Sequence, residues 1–220
     1  MRPCRRLLPL VLGLGLASCA SLPAQDASLP AQEARSLFDG RTLDGWEVTD
    51  FGGQGSVEVR EGTIVLQQGE PLTGITWAGE FPRIGYEVTL QAMRLAGRDF
   101  FAAITFPVGD DPCTLVIGGW GGGVVGLSSI EGADASENET RRSMRFEDRR
   151  WYRIRLRVTQ EKIEAWIDDE RVVDFSHRGR LLSIRVDVWE SQPFGIATWQ
   201  TAGALRDIEL RMLPSTLPGS

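Results

Sequence analysis

Apolar and polar residues alternate along most of the chain after residue 35, with the two-residue period of half-buried strands. In residues 151–158 every second side chain from Tyr152 onward is apolar, and the side chains between them are arginines. Short apolar runs at 163–167 and 172–175 follow after polar turns and predict two successive hairpins. Similar alternation predicts further short strands at residues 56–60, 63–67, 74–78, 86–95, 100–108, 114–118, 124–130, 184–189, 195–201 and 204–212. Gly, Asp or Pro stands at almost every junction, and the pattern therefore predicts an all-β sandwich or jelly roll.

The first 35 residues have a different character. A basic start and an apolar run over residues 7–16 are typical of an export signal, because a membrane-spanning helix needs about twenty residues. The run ends in Leu-Ala-Ser-Cys at residues 16–19, which resembles the bacterial lipobox. We predict a lipoprotein signal peptide over 1–18 and a lipidated Cys19. An ordinary signal peptide with an incidental cysteine is the alternative.

The predicted organisation follows from this start. Residues 19–35 contain a tandem Ser-Leu-Pro-Ala-Gln repeat, in which proline prevents a helix, and they are expected to form an extended tether. The β domain is predicted over residues 36–213, and a flexible tail over 214–220. The expected location is extracytoplasmic, with the lipid as the only contact with a bacterial membrane, at the periplasmic or outer-membrane face.

Charge and composition narrow the range of functions. The chain has 24 Lys and Arg against 30 Asp and Glu, and this net charge of −6 argues against a nucleic-acid ligand. One His and three Cys exclude His-rich and four-cysteine metal sites.

A family resemblance is carried first by residues 37–46, Leu-Phe-Asp-Gly-Arg-Thr-Leu-Asp-Gly-Trp. This segment resembles the opening signature of the 3-keto-disaccharide hydrolase family, which includes 3-keto-glucoside lyases and hydratases. Agreement continues in order at residues 86–90, 150–154, 163–170 and 205–208. The resemblance implies a concanavalin A-like jelly roll of the lectin and glucanase type, with a carbohydrate ligand in its groove. It also implies elimination chemistry on sugars oxidised at C3.

One family motif is incomplete. The Gln-Asp-His-Gly stretch that typical members carry before the last segment corresponds here to residues 195–203, which keep Gln200 and lack the histidine. The single histidine of the chain is His177, in a predicted turn.

Candidate catalytic residues follow from the implied chemistry. Elimination from a 3-keto sugar needs a base for the acidic C2 proton and a group that stabilises the enolate. In the predicted strand at 184–189, alternation would place Arg185 and Asp187 on one face, with Val186 and Val188 toward the core. We therefore predict Asp187 as the base with Arg185 beside it, and Gln200 as a third candidate. A solvated strand face that carries an Arg–Asp pair is the alternative.

Candidate substrate-binding residues are aromatic or polar. Glycines surround Trp120 in residues 118–123, which indicates a bend that presents an aromatic face, and sugars stack their C–H faces on such rings. We predict stacking on Trp120 and Trp199, for which core packing is the alternative. Four polar residues are predicted to donate or accept hydrogen bonds at the groove, with ordinary surface positions as their alternative: Arg98, Asp99, Asn138 and Arg206.

The predicted function is that of a membrane-anchored lipoprotein that cleaves 3-keto-glycosides by elimination and hydration, as a hydrolase or lyase. A non-catalytic carbohydrate-binding module is the first alternative, and a structural or interaction lipoprotein is the second. The sequence identifies no cofactor, although a divalent cation would suit the stabilisation of an enolate.

Overall fold

A computed structural model describes residues 33–214. Within this range the chain forms fifteen strands, one helical turn at Gly119–Gly122 and one 3₁₀ helix at Val186–Ser191. The strands are β1 Arg35–Ser36, β2 Trp46–Val48, β3 Val57–Arg60, β4 Thr63–Leu66, β5 Leu72–Trp77, β6 Tyr86–Gly97, β7 Ala102–Val108, β8 Asp111–Gly118, β9 Val124–Ser128, β10 Arg142–Ser143, β11 Trp151–Val158, β12 Lys162–Ile167, β13 Glu170–Ser176, β14 Gly195–Trp199 and β15 Thr201–Met212.

The strands form two antiparallel sheets. In the first sheet the order is β13-β12-β11-β6-β15-β4-β3, and β1 pairs with β15 beyond the residues that pair with β4. In the second sheet the order is β10-β9-β8-β7-β14-β5-β2. The predicted jelly-roll β-sandwich is confirmed.

One continuous apolar core lies between the sheets, and its side chains come from alternate positions of the strands. The alternation predicted for β11 is confirmed, because Tyr152 and every second residue after it are buried while the arginines between them reach the surface. Buried Tyr86 on the first sheet donates its hydroxyl to the backbone oxygen of Pro107 on the second sheet, at 2.6 Å. The two predicted hairpins are confirmed as β11–β12 and β12–β13.

Side chains on the outer face of the first sheet contact one another. The guanidinium of Arg155 lies 3.8 Å from the ring centroid of Trp166. Nearby, Arg157 donates two hydrogen bonds, of 2.9 and 2.8 Å, to one carboxylate oxygen of Glu87. These side chains are therefore already paired with one another.

The strand predicted at 184–189 is wrong. The segment enters the 3₁₀ helix Val186–Ser191, and of the two valines expected toward the core only Val188 is buried, while Val186 is 84% exposed. The next strand, β14, pairs with β7 on one side and β5 on the other. Because both edges of β14 are taken, the preceding residues have no sheet position beside it and cross the outer face of the second sheet.

Several predicted segments lie outside the described residues. They are the signal peptide, the lipidated Cys19, nearly all of the tether and most of the tail. Between residues 33 and 214 the structure contains no helix with the length and apolar character needed to cross a membrane.

Candidate functional site

A cavity of about 240 Å³ lies on the outer face of the second sheet. Its floor is formed by Ala103 of β7, Thr114 and Val116 of β8 and Ser128 of β9. These residues alternate along their strands with residues of the main core, so their side chains point away from it. Small side chains at these positions leave the space that forms the cavity.

Aromatic side chains form its walls. Phe100 and Trp199 pack with their ring centroids 6.0 Å apart, and Trp120 joins them from the Gly119–Gly122 turn. Trp120 has a left-handed φ of 48° and keeps 42% of its surface exposed. The expected bend with an accessible aromatic face is therefore present.

Asp99 connects the two segments of the chain that carry the aromatic walls. One carboxylate oxygen accepts the backbone N–H of Phe100 at 2.8 Å, and the other accepts that of Gly121 at 3.3 Å. The carboxylate thus joins the start of β7 to the turn that carries Trp120, and it also lines the cavity itself.

The 3₁₀ helix places two charged residues at the cavity. Val188 packs against Leu72 and Ala197 on the sheet, and the hydroxyl of Thr76 donates to the backbone oxygen of Glu190 at 3.0 Å. These contacts hold the helix on β5 and β14, so that Arg185 and Asp187 line the cavity.

Arg185 lies between two carboxylates. It donates to Asp187 at 3.2 Å and to Asp134 at 2.6 Å, and Asp134 in turn accepts the hydroxyls of Ser128 and Ser129 at 3.2 Å each. Partial burial lowers the pKa of Arg185, but the attraction of Asp134 and Asp187 outweighs this and raises the pKa above its usual value. Oδ1 of Asp187 accepts no hydrogen bond from residues 33–214, and the side chain is 31% exposed at the cavity, so this oxygen is available to a bound molecule.

The fold brings five of the nine predicted catalytic and substrate-binding residues to this cavity: Asp99, Trp120, Arg185, Asp187 and Trp199. The other four, Arg98, Asn138, Gln200 and Arg206, lie elsewhere.

Three of these four residues lie in other parts of the fold. Gln200 is exposed in the tight turn after Trp199 and has a φ of 43°. Arg206 lies on the first sheet, with its guanidinium 4.1 Å from the ring centroid of Trp151. Asn138 is buried and donates its amide to three backbone oxygens at 2.7 to 3.0 Å, which fixes its own loop.

Arg98 and His177 are also outside the cavity. Arg98 lines a second cavity on the other side of the Gly119–Gly122 turn. His177 is partly buried next to the end of β13, where Nε2 lies 2.9 Å from the backbone oxygen of Thr159. It lines neither cavity.

Sequence reasoning missed several cavity residues. Thr114 and Ser128 could have been found as small or polar residues at alternate positions of apolar strands. Phe100 could have been found as an aromatic residue beside Asp99. Asp134 does not line the cavity but contacts Arg185, and nothing in its neighbouring sequence indicates this contact, because the two residues are far apart along the chain.

A metal centre of ordinary composition is absent from the described range. No group of three or more His, Cys, Asp or Glu side chains there could hold a metal ion. Asp99 and Asp187 are the carboxylates that line the cavity, and each already accepts hydrogen bonds from the protein. A divalent cation would have to compete with Arg185 for Asp187.

The comparisons with known proteins agree with the sequence resemblance. The family model of the 3-keto-alpha-glucoside-1,2-lyase-like domain matches residues 33–211. The chain belongs to this family. The lyase-like domain is thus a carbohydrate-related domain, and the family predicted from residues 37–46 and the later segments is confirmed. No curated protein matches the chain by sequence.

Solved structures share the fold of this lyase-like domain at low sequence identity. A Bacillus subtilis protein of unknown function with a galectin-like fold has a TM-score of 0.58 and 11% identity, over 83% of this chain and 96% of that one. The Crh5 transglycosylase has a TM-score of 0.54 and 11% identity, over 84% and 85%. The carbohydrate-binding module CBM66 of Bacillus subtilis has a TM-score of 0.51 and 12% identity, over 76% and 95%.

Proposed function

We propose that this domain cleaves 3-keto-glycosides by elimination in the cavity on the second sheet. The observation that carries the proposal is that Asp187 and Arg185 line the same cavity as Trp120 and Trp199. An aromatic wall beside a carboxylate and a guanidinium offers a surface for a sugar ring, a base and a cationic group. Membership of the lyase-like family supports the same reaction class.

In the proposed reaction the keto sugar stacks on the aromatic wall, with its C2 proton toward Asp187. Oδ1 of Asp187 takes the proton, and the C2–H electrons form an enolate whose negative oxygen lies at C3. Arg185 donates from Nε to Asp187 and from Nη1 to Asp134. Its Nη2 is therefore left to donate to the enolate oxygen. The enolate then re-forms the C3 carbonyl and a C1–C2 double bond forms. The C1–O bond breaks, and the departing oxygen takes the proton from Asp187. Addition of water to the double bond completes hydrolysis.

The test is incubation of the full chain with 3-keto-glucosides, with added divalent cation and with chelator. We expect release of the C1 substituent and a transient conjugated enone absorbance. Asp187→Asn should abolish turnover, because an amide cannot accept the C2 proton, while Asp169→Asn, a control at a highly exposed carboxylate, should retain it. No turnover above buffer, with or without cation, would refute the proposal.

A non-catalytic carbohydrate-binding module is the second candidate. It is favoured by the position of His177, which lines neither cavity, and by the pairing of Asp187 with Arg185. This candidate predicts saturable binding of glycans without release of product, and measured turnover that depends on Asp187 would exclude it.

We also propose that the domain is exported and held at a bacterial membrane through lipid on Cys19, as a periplasmic or outer-membrane lipoprotein. The lipobox-like residues 16–19 and the proline-containing repeat that follows them support this location. Metabolic labelling with a fatty acid should mark the native chain and fail with Cys19→Ser. Label retained in that variant would refute lipidation at this residue.

A further inference from the structure

The Gly119–Gly122 turn separates two cavities. Trp120 and Asp99 line the first, whereas the adjacent residues Gly121 and Arg98 line a second cavity of about 380 Å³. A molecule that extends beyond Trp120 across the turn would therefore reach the second cavity.

The second cavity carries uncompensated positive charge. Arg94, which is largely buried, is paired with Asp148 at 2.5 Å and donates to the backbone oxygen of Phe146 at 2.7 Å. Arg98 and Arg145 also line this cavity, and neither side chain makes an ion pair or hydrogen bond with the described part of the chain. Two guanidinium groups are thus left without a carboxylate, in a protein whose net charge is −6.

The first cavity has the opposite charge balance, with more carboxylates than guanidinium groups. Its arginine, Arg185, is shared by Asp187 and Asp134, and Asp99 adds a further carboxylate. Its charge and its aromatic walls suit an uncharged sugar ring, and the two free arginines of the second cavity suit an anion.

Gly122 borders the second cavity. Gly122 has a φ of 102°, and a Cβ there would stand 3.0 Å from Nη1 of Arg94 and 3.2 Å from the backbone oxygen of Arg98. A side chain at this position would have to displace the guanidinium of Arg94 or the backbone of Arg98, so glycine keeps this edge of the second cavity open.

We infer that the second cavity binds the carboxylate or sulfate group of an acidic saccharide whose neutral unit occupies the first cavity. This inference rests on the proposed function and names its substrate class. Planar guanidinium groups donate paired, charge-assisted hydrogen bonds to oxyanions of this kind. A free anion offers the same chemistry, but the shared turn favours a ligand that continues from the first cavity.

The test is calorimetric titration of the full chain with a neutral gluco-oligosaccharide and with its counterpart of equal length that bears one glucuronate. We expect the acidic oligosaccharide to bind about tenfold more tightly, with an advantage that decreases as salt is added. Arg98→Gln combined with Arg145→Gln should remove this advantage and keep the affinity for the neutral sugar. Arg41→Gln combined with Arg211→Gln changes the charge equally at exposed arginines outside the cavity and should keep both affinities.

Separate results overturn the inference and the proposed function. Equal affinity for the two oligosaccharides, or an advantage that survives the Arg98 and Arg145 substitutions, overturns the inference. Binding of inorganic sulfate without preference between the oligosaccharides overturns the saccharide assignment and leaves a site for free anions. A preference for the acidic sugar that depends on these arginines supports the inference even where 3-keto-glucosides are not cleaved, a result that refutes only the proposed catalysis.

Discussion

Replacement of Trp120 by alanine tests whether the cavity binds sugar by stacking. A fully exposed tryptophan presents roughly 250 Å², and the 42% that is exposed here therefore amounts to about 100 Å². A sugar ring that covers half of this area removes about 50 Å² of apolar surface from water, worth about 1.3 kcal/mol. We therefore expect Trp120→Ala to raise the Kd about tenfold.

The assay is calorimetric titration of the full chain with the oligosaccharide that binds best, together with urea denaturation of each variant. Trp189→Ala is the matched control, because Trp189 is 57% exposed and does not line the cavity. Trp189→Ala should leave the free energy of unfolding nearly unchanged because its side chain is mostly exposed, whereas Trp120, which is 42% exposed, also has a buried part, so the urea series checks that its variant is still folded at the titration conditions. The stacking role is refuted if Trp120→Ala changes the Kd by less than about twofold, or no more than Trp189→Ala does.

Two further predictions concern stability. Glu87→Gln removes a largely buried carboxylate that accepts two hydrogen bonds from Arg157, and it should lower the free energy of unfolding by about 1–2 kcal/mol. In the same urea series Glu58→Gln, at an exposed ion pair, should cost less than about 0.5 kcal/mol, and equal losses would contradict the role of burial. Burial also raises the pKa of Cys113 to about 12, well above the roughly 8.5 of an unfolded thiol. Because ionisation then favours the unfolded state, the free energy of unfolding should fall as the pH rises from about 9 toward 12. Cys113→Ala should show a shallower fall, and an identical pH profile would contradict this reasoning.

The sandwich could be predicted because its signals are local. Alternation in β11 requires only neighbouring residues, and the following turns place β12 and β13 as hairpins without reference to the rest of the chain. The segment at residues 37–46 is also held together by a contact between residues close in sequence. The indole N–H of buried Trp46 donates to the backbone oxygen of Leu37 at 2.7 Å. These features depend on residues that are close to one another in sequence, so they could be predicted without knowledge of distant contacts.

The 3₁₀ helix could not be predicted from the same kind of signal. Residues 184–189 alternate as a strand does, but a strand needs a neighbour, and both edges of β14 are occupied. Arg185 and Asp187 still meet, for a reason other than strand alternation. The backbone of Arg185 is extended just before the helix, and its side chain reaches the carboxylate in the first turn.

The contact of Arg185 with Asp134 joins residues 51 positions apart, so no local sequence pattern could reveal it. This contact also distinguishes the two carboxylates that hold Arg185. Asp134 makes the shorter contact with Arg185, at 2.6 Å, and accepts two serine hydroxyls, which suits a residue that positions the guanidinium. Asp187 makes the longer contact, at 3.2 Å, and keeps one oxygen free of hydrogen bonds from residues 33–214. Because Asp134 holds the arginine independently, the proposed proton transfer to Asp187 would not release Arg185 from the cavity.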